Sequence, residues 1–123
     1  MTHLDTNFLI RALVSGSSEE TKLLGWLSAG ETVRISAIAW SEFLCGPLSP
    51  QDEALARQFL SEPEPFIGVD AARAADLFNR SGRRSRTLPD CQIAAVALRC
   101  GAVLATGNTK DFAPFQAHGL SFA

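Results

Sequence analysis

The hydrophobic period of this chain keeps switching, with short apolar runs taking turns with stretches of helical spacing. Met1–Asp5 reads as a very short strand, followed by a helix over about Asn7–Val14. Ser17 and Glu20 stand at capping-box spacing and open a second helix, with Leu23, Leu24 and Leu27 as its apolar stripe. Thr32–Ile35 reads as a strand. Ser36 can cap a helix over Ala37–Cys45, which Gly46-Pro47 stops. Pro50 and Asp52 introduce another helix, with Leu55, Phe59 and Leu60 inward. Phe66–Val69 reads as a strand or extended connector. Asp70 then serves as a plain cap for a helix whose apolar side is Ala71, Ala74, Ala75 and Phe78. Gly82–Thr87 is a loop. Pro89 and Asp90 open a helix, Cys91–Cys100, that is apolar nearly all round and so is expected at the centre, with Gly101 ending it. Ala102–Thr106 is the clearest strand, and Leu120–Phe122 is a candidate edge strand.

Elements that alternate in this way point to βα units and an α/β fold with a mostly parallel sheet. A chain of 123 residues suits one domain spanning 1–123. At 46% hydrophobic and 20% charged residues it is globular rather than disordered. Its apolar stretches fall far short of the ~20 residues of a membrane span, and no charged-then-apolar leader opens it. Cys45, Cys91 and Cys100 form no C-x-x-C pair and lie in apolar segments, which suggests reduced core thiols in a cytoplasmic protein.

Parallel topology would gather the chain's chemistry. Ligands of open parallel sheets bind at the carboxyl ends of the strands, the edge where the helix N-termini also lie. Asp5 closes the first strand, Asp90 starts the central helix, Asp111 lies in the loop after strand Ala102–Thr106, and Glu42 sits in the second turn of its helix. All four map to that edge. Glu42 has Ile38, Ala39, Cys45 and Gly46 as face neighbours, and Asp90 has Ile93 and Ala94, none of them polar. Carboxylates in such places need compensation, and a hard divalent cation such as Mg²⁺ supplies it. No His lies at a metal-ligand spacing from an acid, which argues against zinc. His3 and His118 carry no clear signal.

The net charge of −2 and pI of about 5.6 give no bulk-charge support for nucleic-acid binding. Distribution says more: Arg80, Arg83, Arg84 and Arg86 lie within seven residues with no acid among them, just before Asp90.

Four segments carry a resemblance: L-D-T-N-F-L at Leu4–Leu9, W-S-E-F-L at Trp40–Leu44, L-P-D-C-Q-I-A-A at Leu88–Ala95 and T-G-N-T-K-D-F at Thr106–Phe112. In order and spacing the chain resembles the PIN-domain ribonucleases, and within them the VapC-type toxins of bacterial toxin–antitoxin pairs. The resemblance implies a three-layer α/β/α sandwich with a central mostly parallel sheet, an acidic pocket for Mg²⁺ or Mn²⁺, and endonucleolytic cleavage of RNA. It also implies a homodimer and a cognate antitoxin partner. Asp5, Glu42 and Asp90 match the three core acids and Asp111 the fourth. Thr106 and Asn108 match the polar residues that accompany it, and Asn108 could share the fourth role. Gly107 departs from the pattern, where relatives often place Arg.

On this reading Asp5 and Asp90 contact the metal directly. Glu42 and Asp111 act through water, hold a second ion or orient the attacking water, and Thr6 and Asn7 support them. Arg83, Arg84, Arg86 and Lys110 would meet RNA phosphates. Two other classes compete: a non-catalytic binding module on the same scaffold, and a phosphoacceptor receiver domain. The receiver is disfavoured, because only Asp5 stands at the first strand end where it needs adjacent acids.

Overall fold

The structure is a computed structural model that describes residues 1–123. In chain order the elements are β1 (Thr2–Leu4), α1 (Thr6–Ala12), α2 (Ser18–Ser28), β2 (Val33–Ile35), α3 (Ala37–Cys45), α4 (Pro50–Phe59), α5 (Gly68–Arg80), α6 (Leu88–Cys100), β3 (Val103–Ala105) and α7 (Thr109–Phe112). A 3₁₀ turn over Ala113–His118 follows. The three strands form one parallel sheet in the order β2-β1-β3, flanked by the helices. β1 is central, so its two neighbours leave it in opposite directions. That reversal opens a crevice at the strands' carboxyl ends, and Leu4 pairs there with Ile35 on one side and Ala105 on the other.

Serine hydroxyls start three of the helices. Ser17, Ser36 and Ser49 accept the backbone N–H of Glu20, Ala39 and Asp52 respectively. Gly101 ends α6 at φ 65°, a left-handed position that glycine adopts without a Cβ penalty. The helix α6 is the core's centre, with Cys91, Ile93, Ala94, Ala95, Val96 and Ala97 buried. Its alanines let α5 pack closely along it. No helix is long and apolar enough to cross a membrane.

Several expectations are corrected. Of the two readings of Phe66–Val69, the strand does not form and the extended connector is only Phe66–Ile67: the only bridge in this stretch of chain joins Glu64 to Ser36, and α5 already begins at Gly68. Asp70 is therefore the third helical residue and not the cap. The inward face of α5 is Asp70, Ala74 and Leu77, while Ala71 and Ala75 face solvent. On α2 and α4, Leu24 and Leu55 are exposed and Ala56 fills the core instead of Leu55. Helix α6 begins at Leu88, two residues ahead of Asp90. Leu120–Phe122 contributes only a single bridge, from Phe122 to Leu104. Cys45 is exposed and so is not a core thiol, whereas Cys91 is buried.

One polar network, built around the buried Asp70, lies away from the crevice. Arg99 of α6 donates from Nε to Asp70 Oδ1 at 2.9 Å, from Nη1 to Glu64 Oε1 at 3.1 Å and from Nη2 to the Pro65 carbonyl at 2.9 Å. Arg34 pairs with the other Glu64 oxygen at 3.0 Å. Asp70, 1% exposed, also accepts the Ile67 N–H at 3.0 Å. Neither local sequence nor periodicity announces a pairing that spans 29 residues.

His3 lies beside this network, fully buried, with neither ring nitrogen bonded to protein. Burial pushes its pKa down to about 4. Glu64 opposes that shift, and Arg34, Arg99 and the N-terminal ammonium add to it. A folded-state pKa below the unfolded 6.5 means that the unfolded chain takes up the proton first as pH falls. The His3 contribution to stability should therefore fall between pH 6.5 and about 4 and level off below, opposite in sign to that of a carboxyl whose pKa is raised. Denaturant unfolding of the native chain and a His3→Leu variant across that range checks this, with the stability difference, native minus variant, expected to fall as pH is lowered.

Candidate active site

Asp5 follows β1 directly and caps α1. Its Oδ1 accepts the Thr6 N–H at 2.8 Å, and its Oδ2 accepts the Thr106 hydroxyl at 2.8 Å. The second bond is set by the sheet. Leu4 pairs with Ala105 in register, and the Asp5 N–H donates to the Ala105 carbonyl at 2.9 Å, so the next residues on both strands meet at the crevice. Thr106 Oγ1 also accepts the Asn108 N–H at 2.9 Å, which ties the turn after β3 to Asp5. Asp5 is 4% exposed. Burial raises its pKa, the Thr106 and Thr6 hydrogen bonds lower it, and the Glu42 and Asp111 charges raise it.

Glu42 projects from α3 at an exposed position, and its Oε1 accepts the Thr6 hydroxyl at 2.8 Å. Thr6 thus joins Asp5's helix to Glu42. Asp90 stands in the first turn of α6, half-buried, with no protein hydrogen bond supporting its charge. Burial first, then the Asp5, Asp111 and Glu42 carboxylates, push its pKa up to about 6. Asp111 is exposed on the short helix α7, where the sequence suggested a loop. Asn7 and Asn108 line one neighbouring cavity with Gly107.

The Asp5, Glu42 and Asp111 charges thus all act on Asp90, and those of Glu42 and Asp111 on Asp5. Arg83, Arg84 and Arg86 are exposed on the turn before α6, and Lys110 is exposed beside Asp111. Arg83 and Arg86 both adopt positive φ, at 54° and 70°. No three His, Cys, Asp or Glu side chains form a ready-made cation cage. The donor set nevertheless suits Mg²⁺, which takes only oxygen ligands, commonly one or two carboxylates with several waters. Asp90 in particular lacks the positive partner that its repelling neighbours call for.

Residues 3–115 match the PIN domain family. The chain is a PIN-domain protein. Its fold is similar to that of VapBC2 from Rickettsia felis bound to a promoter DNA fragment, with 21% identity, a TM-score of 0.76, and coverage of 99% of this chain and 96% of that one. A toxin–antitoxin complex from Klebsiella pneumoniae is similar at 30% identity and a TM-score of 0.72, over 92% of this chain and 91% of that one. The Mycobacterium tuberculosis toxin VapC20, described as cleaving the sarcin–ricin loop, shares the fold at 20% identity and a TM-score of 0.65, over 100% and 98% of the two chains.

The fold expected from the resemblance is thus present, with a parallel sheet between helices. Sequence alone points to no more than a supporting role for Thr106 and Thr6, and in this PIN domain their hydroxyls fix the directions of Asp5 and Glu42 respectively. Each is an ordinary threonine near a strand end: strand register brings Thr106 to Asp5, and the packing of α1 on α3 brings Thr6 to Glu42.

Proposed function

We propose that this PIN domain is a single-domain, metal-dependent endoribonuclease and the toxin of a toxin–antitoxin pair, working in the cytoplasm as a homodimer held in check by a cognate antitoxin. The observation that carries the reading is the Asp90 carboxylate: it has no protein donor, and three other acids press on it at the switch point of the sheet. Four repelling carboxylates with no internal counter-charge are a poor device for stability and a good one for gathering a divalent cation. The similarity to toxin–antitoxin complexes supports the partner assignment.

Asp5 and Asp90 would hold Mg²⁺ or Mn²⁺ directly, with Glu42 and Asp111 acting through water or on a second ion. Bound there, the cation would neutralise charge at phosphorus and acidify water for attack. The chain's own groups do the rest. Thr106 and Thr6 keep Asp5 from rotating, and Thr6 holds one Glu42 oxygen so that the other is free to accept a proton from the attacking water. Asn108 keeps the turn after β3 closed against Thr106. Arg83, Arg84, Arg86 and Lys110 draw the RNA strand to an edge that would otherwise repel it.

The test is incubation of the purified chain, freed of any bound inhibitor, with total RNA. Cleavage should require Mg²⁺ or Mn²⁺ and stop with EDTA; absence of cleavage with the cation bound would favour a binding module on the same scaffold. For the rim, neutralising two of the arginines should reduce the slope of log affinity against log salt by about 1.4 for a single-stranded RNA. Filter binding across a salt series reads this, and an unchanged slope removes the arginines from the interface.

A further inference from the structure

A cavity of about 200 Å³ opens between the arginine turn and α7, walled by Arg84 and Thr87 on one side and Lys110 and Asp111 on the other, with Pro114 and Phe115 also lining it. Arg84 and Lys110 come from elements 26 residues apart, yet they meet in this one hollow. Neither is in an ion pair, whereas Arg11, Arg34, Arg57, Arg80 and Arg99 each meet a carboxylate. The hollow's only acid is Asp111, whose charge also acts on Asp5 and Asp90. It therefore adjoins the carboxylate centre and shares one wall with it.

The turn that carries Arg84 is fixed at both ends. The Arg83 N–H donates to the Phe78 carbonyl of α5 at 3.0 Å, and the Thr87 hydroxyl donates to the Arg84 carbonyl at 2.7 Å. Arg83 and Arg86, on either side, both take left-handed backbone conformations that are disfavoured for arginine. Strain of this kind persists where the surroundings impose it, and it is concentrated at binding sites. Here it bends the chain around Arg84, which lines the cavity, while Arg83 and Arg86 do not. The space is roughly that of six liquid waters, enough for a phosphate group with part of its hydration shell.

We propose that this cavity is a second phosphate subsite, in which Arg84 and Lys110 clamp the RNA phosphate next to the one being cleaved. The assignment rests on the nuclease reading of the neighbouring carboxylates and separates the four rim cations into two groups. Arg84 and Lys110 form a defined anion site, and Arg83 and Arg86 are an outer rim that attracts the strand. A guanidinium and an ammonium facing one cavity suit a tetrahedral anion, the first through a fork of N–H donors and the second as a point charge.

The test uses the full chain with Mg²⁺ and three probes: adenosine, adenosine 5′-monophosphate and adenosine 3′,5′-bisphosphate. Calorimetry should show the bisphosphate binding about tenfold tighter than the monophosphate, as expected for one added pair of charge-assisted hydrogen bonds. Arg84→Gln and Lys110→Gln should each remove that difference, and Arg83→Gln should leave it in place. Backbone amide shifts in the NMR spectrum, which also confirm that each variant is folded, should move at Arg84, Thr87 and Lys110 only with the bisphosphate. Equal binding of the two phosphates, or a difference that survives both glutamine variants, overturns the subsite. A tenfold preference in a chain that cleaves no RNA would keep the subsite and remove the nuclease reading.

Discussion

Asp90→Asn should lose RNA cleavage by about 10³-fold, roughly 4 kcal/mol of transition-state stabilisation, and yet unfold at a higher temperature than the native chain in the absence of divalent cation. Both effects follow from one carboxylate. Burial and three neighbouring acids hold the folded-state pKa of Asp90 at about 6, above its ordinary 3.8. At neutral pH both states carry this charge, but only the folded chain carries it against burial and the repulsion of three acids. Stability from this group is therefore present below pH 3.8 and lost as pH rises through about 6. Asparagine removes the repulsion at nearly constant shape. Because Asp90 is only half-buried, solvent screening reduces the gain to about 1–2 kcal/mol, or on the order of 5 °C. Added Mg²⁺ should raise the melting temperature of the native chain by mass action and have much less effect on the variant. Melting curves at pH 7.5 with and without Mg²⁺, beside a cleavage time course, check both halves. A variant less stable than the native chain without metal would show that Asp90 is a structural cap.

Arg99→Ala should destabilise the chain by about 2–3 kcal/mol, or ~10 °C in melting temperature, a large loss for a surface-reaching polar side chain. The guanidinium is the only charged partner of Asp70, which is 1% exposed, and it also bonds to Glu64 and the Pro65 carbonyl. These bonds raise the Arg99 pKa, with Asp70 the largest cause. Without Arg99, Asp70 keeps only the Ile67 N–H, and a buried charge left without its counter-ion is far less stable than the pair. The Arg99 head is 28% exposed, which places the loss below that of a fully buried pair. Arg99→Lys should recover only part of it, because an ammonium cannot reproduce three directed bonds from one planar group. A double-mutant cycle with Asp70→Ala, read by denaturant unfolding, isolates the coupling. Independent losses would mean that the pair contributes nothing beyond packing.

The crevice was more legible in the sequence than this second network, for a physical reason. An acid at a strand end or in a helix's first turn is placed by topology alone, and one assumption, a parallel sheet, sends Asp5, Asp90 and Asp111 to the same edge. The strand order β2-β1-β3 then makes the meeting of Asp5 with Thr106 a consequence of register. The links between side chains from unrelated segments were not legible. Thr6 reaches Glu42 across 36 residues and Arg99 reaches Asp70 across 29, and no local period encodes either. The misread face of α5 has the same origin. Ala71, Ala74, Ala75 and Phe78 make an apolar stripe in the sequence, but the helix turns toward Asp70, Ala74 and Leu77, which buries the whole Leu77 side chain and pairs Asp70 with Arg99. Leu24 and Leu55 stand on apolar stripes of their helices in the sequence yet are exposed, and surfaces hold many such residues.

The most direct test of the account is anomalous diffraction from crystals of the full chain grown with Mn²⁺. The account predicts a peak between the Asp5 and Asp90 carboxylates that is lost in Asp90→Asn crystals grown in the same way. A peak elsewhere, with those two carboxylates left bare at saturating Mn²⁺, would contradict it.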